Sequence, residues 1–294
     1  MTDLSHLRFD AGHAKKKGAV GMRRVDDGRM WVDQEYAAEL ERICMASFEA
    51  VMISASGRLL RSLPDRENWR LELPDRGGHV LFLKKHRVRS IAERIRSWFG
   101  GGVTPGRTEA DNVAALKEAG IDTMRVVAFG EQVTGGLAES FFMTEELRGF
   151  MQLDHFVRRR FVPADERLRR DHDLISLATA VADVANRFHG AGFNHRDFYC
   201  CHLFIQEFAG RRFAIRLIDL QRVECRRWLR ARWIVKDLAQ LAYSAPRERI
   251  GNTIRMAFIK RYLGVRRLGA AEKRFVRRIL RRQRAMERRL GAHP

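Results

Sequence analysis

The sequence predicts an α+β fold in which a β-rich N-terminal half precedes an α-helical C-terminal half. Between residues 57 and 85, apolar and polar residues alternate in a pattern typical of strands. After about residue 149, apolar residues recur at helical spacing instead. The chain has 294 residues, of which 45% are hydrophobic, so it is long and apolar enough to form a substantial core.

The composition is strongly basic, with a formal net charge of +20 and a pI near 10.9. This charge favours an anionic partner: nucleic acid, an acidic membrane surface or a phosphorylated substrate. No apolar run approaches the roughly 18–20 residues of a membrane span. The N-terminal residues do not resemble a signal peptide, so a cytoplasmic protein is predicted. The four cysteines show no metal-ligand spacing or disulfide framework, and we interpret them as small packed residues.

The chain is predicted to begin with a basic extension, residues 1–45, which includes three consecutive lysines at 15–17. A hairpin is expected next. In its first strand Trp69, Leu71 and Leu73 alternate with polar residues, and its second strand begins with the apolar run 80–83. The hairpin therefore ends at two lysines, residues 84 and 85.

A helix is predicted after a glycine-rich segment, residues 100–106. Thr108 is a good N-cap residue with Asp111 three positions on, and Gly120 is suited to end the helix. Two strand-like segments follow, residues 125–129 and 140–143.

The C-terminal half is predicted to open with a long helix, because the apolar residues of 174–188 share one helical face. A loop and two short strands follow, residues 203–205 and 213–218, and the remainder is helical and basic. The predicted division is an extension (1–45), an N-lobe (46–148) and a C-lobe (149–294).

The loop between the long helix and the first of these strands contains His195, Arg196 and Asp197, and the second strand ends in Asp219. Kinases place one aspartate in such a loop, where it accepts the proton of the acceptor hydroxyl. A second aspartate, at the end of the next hairpin, holds magnesium. The pattern therefore predicts a bilobal protein-kinase-like fold that uses ATP and Mg²⁺. The alternative is an ordinary loop in which Arg196 pairs with either aspartate.

Two upstream residues complete this pattern. Lys84 ends an apolar strand, where kinases place the lysine that contacts the ATP phosphates. Glu109 shares a helical face with apolar residues and is predicted to pair with Lys84. Alternatively, Glu109 only complements the helix dipole. Lys85 competes with Lys84 for the role, but strand alternation directs the two side chains to opposite faces.

Several segments together resemble the Kdo/WaaP family of lipopolysaccharide kinases, from about residue 57 to 245. They are FLKKHR (82–87), AGIDTM (119–124), TEEL (144–147), HRDFY (195–199) with CH (201–202), IDL (218–220) followed by Arg222, and VKDLA (235–239). The resemblance implies transfer of the ATP γ-phosphoryl group to a sugar hydroxyl, a heptose, of the lipopolysaccharide inner core.

The resemblance also implies residue roles. Lys84, Glu109 and Asp197 would be catalytic, and Met143, Glu145 and Leu147 would lie in the hinge against adenine. Asp219 and His202 would bind metal, although His202 stands where protein kinases have asparagine. It could hydrogen-bond Asp197 or the loop backbone instead. His195, Arg196 and Asp237 would support the loop, Asp237 from a helix beneath it.

Departures from protein kinases leave other functions open. The sequence contains no Gly-x-Gly-x-x-Gly phosphate loop, and Leu220 and Gln221 follow Asp219 in place of Phe-Gly. A kinase for protein or small-molecule hydroxyls is one alternative. The other is an inactive kinase fold that binds an anionic ligand, although nucleic acid is not the expected partner.

The segment from residue 266 onward predicts a basic amphipathic helix. Such a helix can lie on the anionic inner face of the cytoplasmic membrane or bind an anionic glycolipid. Alternatively, its apolar stripe packs on the C-lobe and leaves the arginines in solvent.

Overall fold

The computed structural model describes residues 21–73, 78–87, 103–134, 137–161, 172–225 and 230–291. The lysines at 15–17 and the glycines at 100–102 lie outside these residues. The described chain forms two compact units. The first draws on the described residues within 21–117 and on Met124–Arg148, and the second on Glu118–Thr123 and the described residues from Gly149 to Gly291.

The first unit is built on a seven-stranded antiparallel sheet with the strand order β1-β2-β6-β7-β5-β4-β3. Its strands are β1 (Met22–Val25), β2 (Met30–Asp33), β3 (Arg58–Leu63), β4 (Arg66–Leu73), β5 (His79–Arg87), β6 (Val126–Thr134) and β7 (Leu137–Glu145). Its helices are α1 (Ala37–Arg42), α2 (Phe48–Ile53) and α3 (Pro105–Glu118).

The predicted hairpin is confirmed, and it is longer than the pattern indicated. β4 and β5 pair from Arg66↔His86 to Leu73↔His79. The second strand does not end at Lys84 and Lys85, because β7 pairs with β5 as far as Arg87. Backbone pairing on both sides carries this strand through its charged residues.

Part of the predicted N-terminal extension belongs to the sheet, which corrects the boundary placed at residue 45. β2 pairs with β6, and its Met30 and Val32 are buried in the core. α2 covers the same face with Phe48 and Val51, which are also buried. The few apolar residues of this basic segment are therefore the ones that anchor it.

α3 begins three residues before the predicted cap. Thr104 precedes the helix and its hydroxyl accepts from the amide of Arg107 at 3.4 Å, while Pro105 supplies a preset helical φ. A Cβ on Gly106 would lie 2.6 Å from the Phe141 carbonyl, so glycine permits close packing on β7. Asp111 pairs with Arg107 instead of capping the helix.

The second unit is mainly helical. Its helices are α4 (Leu153–Arg160), α5 (His172–Gly190), α6 (Arg230–Ser244), α7 (Asn252–Leu263) and α8 (Ala270–Leu290). Its short strands are β8 (Met151–Gln152), β9 (Phe193–Asn194), β10 (Leu203–Phe208), β11 (Arg212–Leu217) and β12 (Glu224–Cys225). A strand-rich unit and a helical unit confirm the predicted α+β class.

The apolar stripe of the C-terminal helix packs inside the second unit. Phe275 and Ile279 of α8 are buried, and α8 contacts α6. Most arginines on the other side of α8 are exposed. Within the described residues, no helix combines the length and apolar character needed to cross a membrane.

Candidate active site

The predicted pair of Lys84 and Glu109 is present in the first unit. The Lys84 ammonium lies 2.8 and 3.1 Å from the two carboxylate oxygens of Glu109. The Glu109 side chain is fully buried, whereas that of Lys84 is 22% exposed. β5 and α3 thus hold one cation at a fixed position with part of its surface open.

Lys85 lies on the opposite face of β5, as strand alternation predicted. Its side chain is 2% exposed, and its ammonium donates to the carbonyls of Met52, at 3.3 Å, and Ser54, at the end of α2. Burial lowers the pKa of Lys85 to about 8. This lysine is therefore a buried structural group.

The three residues predicted for the hinge have different surroundings. Met143 is fully buried in the sheet core, so its side chain is not open to a ligand. Glu145 ends β7 and lies 3.4 Å from the His79 ring, and Leu147 follows in a partly exposed loop. The adenine contacts of all three remain predictions.

Asp237 of α6 holds the loop that carries Asp197, in the position that the family resemblance implied. The fully buried Asp237 carboxylate accepts from the amides of His195 at 2.8 Å and Arg196 at 3.0 Å. Burial would raise the pKa of Asp237, but His189, at 3.4 Å, and His195, through its amide, outweigh burial and lower the pKa. The carboxylate is thus ionised and locked to the loop.

Two residues that the sequence analysis missed continue this contact along α6. Gln240 accepts from the Phe198 amide at 3.1 Å and donates to the Arg196 carbonyl at 2.8 Å. Ser244 accepts from the Cys200 amide at 2.8 Å. Asp237, Gln240 and Ser244 are three and four residues apart, so they share one helical face. Polar residues at this spacing among the apolar residues that follow Lys236 were the available signal.

The hairpin of β10 and β11 brings the second aspartate to the same loop. Leu203 pairs with Leu217 at the open end of the hairpin, and the Ile218 amide donates to the His202 carbonyl at 3.0 Å. His195 donates from Nε2 to the Ile218 carbonyl at 3.1 Å. Asp219 follows directly, in a left-handed conformation with φ 56°.

Arg196 also has a left-handed backbone, with φ 70°. Its guanidinium pairs with Glu224 of β12 and lies over the Trp233 ring. It therefore pairs with neither aspartate, which excludes the pairing by Arg196 that was the alternative prediction. Left-handed non-glycine residues persist where surrounding contacts hold them, often at functional sites.

His202 contacts the loop backbone, which was the alternative to metal binding. Its Nδ1 donates to the Asp197 carbonyl at 2.7 Å, and its Nε2 lies 3.7 Å from the Asp219 carboxylate. Burial alone would lower the pKa of His202. The neighbouring Cys201, the Asp197 carbonyl and Asp219 outweigh burial and raise the pKa to about 9. The imidazole is thus held against the loop through Nδ1, and its Nε2 faces Asp219.

The donor set fits magnesium through Asp219 and does not require His202. Magnesium is commonly held by one or two carboxylates together with substrate phosphates and water. The Asp219 side chain is 36% exposed, so such a ligand could reach it. Among the described residues, no cluster of three or more His, Cys, Asp or Glu side chains forms a metal cage.

Asp197 has a partner that the sequence analysis did not assign. Nη1 of Arg222 lies 3.0 and 2.7 Å from the two Asp197 oxygens. The Arg222 side chain is 53% exposed and that of Asp197 is 22% exposed. Arg222 ends the short 3-10 helix Leu220–Arg222 that follows Asp219, so one turn links the two aspartates.

An apolar cavity of about 390 Å³ lies within the second unit. Met256 and Leu280, at 40% and 39% exposure, line it and mark its solvent side. All five helices of the unit contribute apolar side chains, including Val157, Val181, Leu241, Ile254 and Ile279.

Comparisons with known proteins agree with this arrangement. The Lipopolysaccharide kinase (Kdo/WaaP) family matches residues 52–262. Two relatives named lipopolysaccharide core heptose(I) kinase WaaP are each 33% identical. The one from Pseudomonas aeruginosa aligns over 222 residues, 73% of this chain and 80% of the relative. The one from Escherichia coli K12 aligns over 219 residues, 71% and 79% respectively.

A solved structure of WaaP in complex with acyl carrier protein has the same fold. The TM-score is 0.64 at 29% sequence identity, and the match covers 89% of this chain and 97% of that chain. The family match and the relatives each span well over half of the sequence. The chain therefore belongs to the lipopolysaccharide kinase (Kdo/WaaP) family.

Proposed function

We propose that the protein transfers the γ-phosphoryl group of ATP to a heptose hydroxyl of the lipopolysaccharide inner core. Family membership supports a phosphotransferase with a sugar hydroxyl as acceptor, and the names of the two relatives support heptose. The observation that carries the proposal is the arrangement of the Asp197 loop. Side chains of α6 bond to the backbone of this loop, and the β10–β11 hairpin brings Asp219 next to it.

The roles of base, phosphate contact and metal ligand each have a candidate residue. Asp197 is partly exposed and accepts the proton of the attacking hydroxyl. Lys84, oriented by Glu109, contacts the ATP phosphates. Asp219 holds Mg²⁺, which would offset phosphate charge when bound. His202 holds the loop through the Asp197 carbonyl, and its role as a metal ligand remains a prediction.

Labelled ATP with magnesium tests the acceptor directly. We expect label on truncated, unphosphorylated lipopolysaccharide and little on generic protein substrates or free monosaccharides. Asp197→Asn should bind ATP but turn over roughly 10²- to 10⁴-fold more slowly, the usual effect of losing a positioned base. Asp219→Ala should lose magnesium-dependent ATP binding in calorimetry.

Other outcomes identify the alternatives. Label on protein serine, threonine or tyrosine, with none on lipopolysaccharide, would indicate a protein kinase. ATP binding without transfer to any acceptor would indicate an inactive kinase fold.

We also propose that the protein binds an acyl carrier protein. Two observations support this partner: the solved WaaP complex contains one, and the apolar cavity of the second unit suits an acyl chain. Ala178 and Ala242 line the cavity, and Ala242→Phe should fill part of it. Purified acyl-loaded carrier protein should co-elute with the wild type and not with Ala242→Phe. Equal co-elution of the unloaded carrier protein would rule out the acyl chain as the anchor.

The exposed arginines of α8 support a third proposal, that the protein lies at the anionic inner face of the cytoplasmic membrane. The helix carries nine basic and two acidic residues. The acceptor proposed for the enzyme is a membrane glycolipid, so attachment to the membrane would keep the enzyme and its acceptor on one surface.

A further inference from the structure

Arg222 holds Asp197 in an unusual way for an arginine and a carboxylate. A single nitrogen, Nη1, lies near both oxygens, at 3.0 and 2.7 Å. The stronger arrangement uses two nitrogens in parallel against two oxygens. The Nε and Nη2 donors of Arg222 make no other hydrogen bond to the described residues. One edge of the guanidinium is thus still able to receive a second anion.

Two other cations near this loop, Arg196 and Lys236, bond to groups other than the Asp197 carboxylate. Arg196 is paired with Glu224 and stacked over Trp233. Lys236 donates to the Arg196 carbonyl, and burial lowers its pKa. Among the described residues around Asp197, Arg222 is the cation that combines contact with the base and a side chain 53% exposed to solvent.

The Asp197 pair is poorly suited to a purely structural role. Exposed ion pairs contribute little to stability. The pair also occupies both oxygens of the group that must accept a proton. Withdrawal of Arg222 from one oxygen would make that oxygen more basic and open it to the acceptor hydroxyl.

We propose that Arg222 is the specificity-determining residue for the acceptor, because it binds an anionic substituent next to the reacting sugar hydroxyl. The proposal rests on the proposed function and adds the acceptor's chemical class: a sugar that carries a neighbouring carboxylate or phosphate. The free edge of the guanidinium binds that anion in a two-nitrogen contact, and Arg222 withdraws from one Asp197 oxygen. Binding of the correct acceptor thereby frees the base.

Phosphoryl transfer to the acceptor hydroxyl then follows. The hydroxyl oxygen bonds to the γ-phosphorus, the bond from that phosphorus to the ADP oxygen breaks, and the hydroxyl proton passes to the freed oxygen of Asp197.

Three acceptors test the proposal: an inner-core oligosaccharide, the same with its carboxylates reduced to alcohols, and the same with existing phosphates removed. Initial rates with each give kcat/KM for the wild type and Arg222→Gln. We expect the wild type to prefer the acceptor with the recognised anion by about 10- to 100-fold, the range of a charged hydrogen bond. Whichever treatment removes the preference identifies the source, carboxylate or phosphate.

In Arg222→Gln the preference should disappear through a higher KM for the acceptor, while the KM for ATP is unchanged. Arg222→Lys, which keeps the charge and loses the fork, should be intermediate and provides the same comparison if the glutamine variant does not fold. Arg212→Gln, an exposed arginine of β11, is the charge-matched control and should behave as wild type.

Two results would overturn this inference and leave the proposed function intact. One is a wild type with equal kcat/KM on the three acceptors; the other is an Arg222→Gln variant with a lower kcat on all three and an unchanged preference. The latter would mean that Arg222 acts only through Asp197. A wild type that phosphorylates none of the acceptors would overturn the proposed function, and this inference with it.

Discussion

Lys84 and Lys85 are adjacent in the sequence, and their side chains reach opposite faces of the same strand. The first pairs with a buried carboxylate and keeps part of its surface open. The second is enclosed by backbone carbonyls and the Trp69 ring. Alternation along a strand could predict this division, but only the structure shows which carbonyls receive Lys85, because they belong to a segment far away in sequence.

Replacing Lys84 by methionine should leave the buried Glu109 carboxylate without the Lys84 cation. We expect the free energy of unfolding to fall by about 3 kcal/mol and ATP binding to be lost. The double variant Lys84→Met, Glu109→Leu should regain most of the stability without regaining activity. Urea denaturation and phosphate transfer measure the two effects. Normal transfer by the folded double variant would exclude Lys84 from phosphate binding.

At the scale of one element, α6 fixes the catalytic loop through side chains that bond to its backbone. Gln240 is the central one, because it satisfies one loop amide and one loop carbonyl. Gln240→Leu should lower the free energy of unfolding by about 1–3 kcal/mol, the cost of an unsatisfied buried group. Turnover should fall as well, while the KM for ATP should be unchanged.

Gln283→Leu is the matched control for Gln240→Leu. Gln283 is also buried in a helix of the second unit, but it bonds to Glu287 instead of the loop. We expect normal turnover from this variant once folded. Equal loss of turnover in both variants would show that the loss does not depend on the hydrogen bonds between Gln240 and the loop.

The end of α2 offers a pH test. Lys85 and Arg87 donate to carbonyls at its C-terminal end, where cations also complement the helix dipole. The pKa of Lys85 is about 8 in the folded protein and about 10.4 in an unfolded chain. Between these values the unfolded chain binds more protons, so the contribution of Lys85 to stability rises with pH.

Compared with Lys85→Met, the wild type should therefore gain about 2 kcal/mol in unfolding free energy between pH 7 and pH 10. Using the difference between the two proteins removes the titration of all other groups. Urea denaturation at several pH values measures it. A difference that does not change with pH would show that Lys85 keeps an ordinary pKa.

At the scale of the whole molecule, the net charge of +20 includes both arginines that pair with carboxylates and arginines that do not. Several arginines pair with carboxylates, for example Arg125 with Asp33 and Arg261 with Asp183. On α8, Arg277, Arg281 and Arg284 are exposed and have no carboxylate partner among the described residues. Deleting α8 would remove the buried Phe275 and Ile279, so charge replacement is the cleaner test.

Replacing Arg277, Arg281 and Arg284 by glutamine should weaken binding to anionic vesicles about a hundredfold, given the attraction of each cation near such a surface. Binding by the wild type should also decline with salt, because the Debye length falls to about 3 Å at 1 M. Replacing the exposed Arg58, Arg61 and Arg212 is the charge-matched control. Equal weakening by both triple variants would show that α8 is not the membrane contact.

The sequence was sufficient for the fold class, the hairpins and a cationic partner for Glu109, because these follow from periodicity or from spacing within a motif. The choice of Lys84 over Lys85 and the place of Asp237 under the loop came from the family resemblance. It was not sufficient for the start of α3, for the strands near the N-terminus or for Arg222. Thr108 and Thr104 are equally good caps by residue type, and packing of Gly106 on β7 decides between them. Arg222 meets Asp197 only after the chain has folded.

The single helical face that supports the catalytic loop also limits which insertions and deletions the family can tolerate. One added residue in α6 between Asp237 and Gln240 would rotate the following side chains by about 100° around the helix. Gln240 and Ser244 would then leave the loop together, although every side chain of the site would still be encoded. A residue added at the Gly210 turn would only lengthen an exposed connection. Length changes among relatives should therefore accumulate at that turn and be absent from the middle of α6.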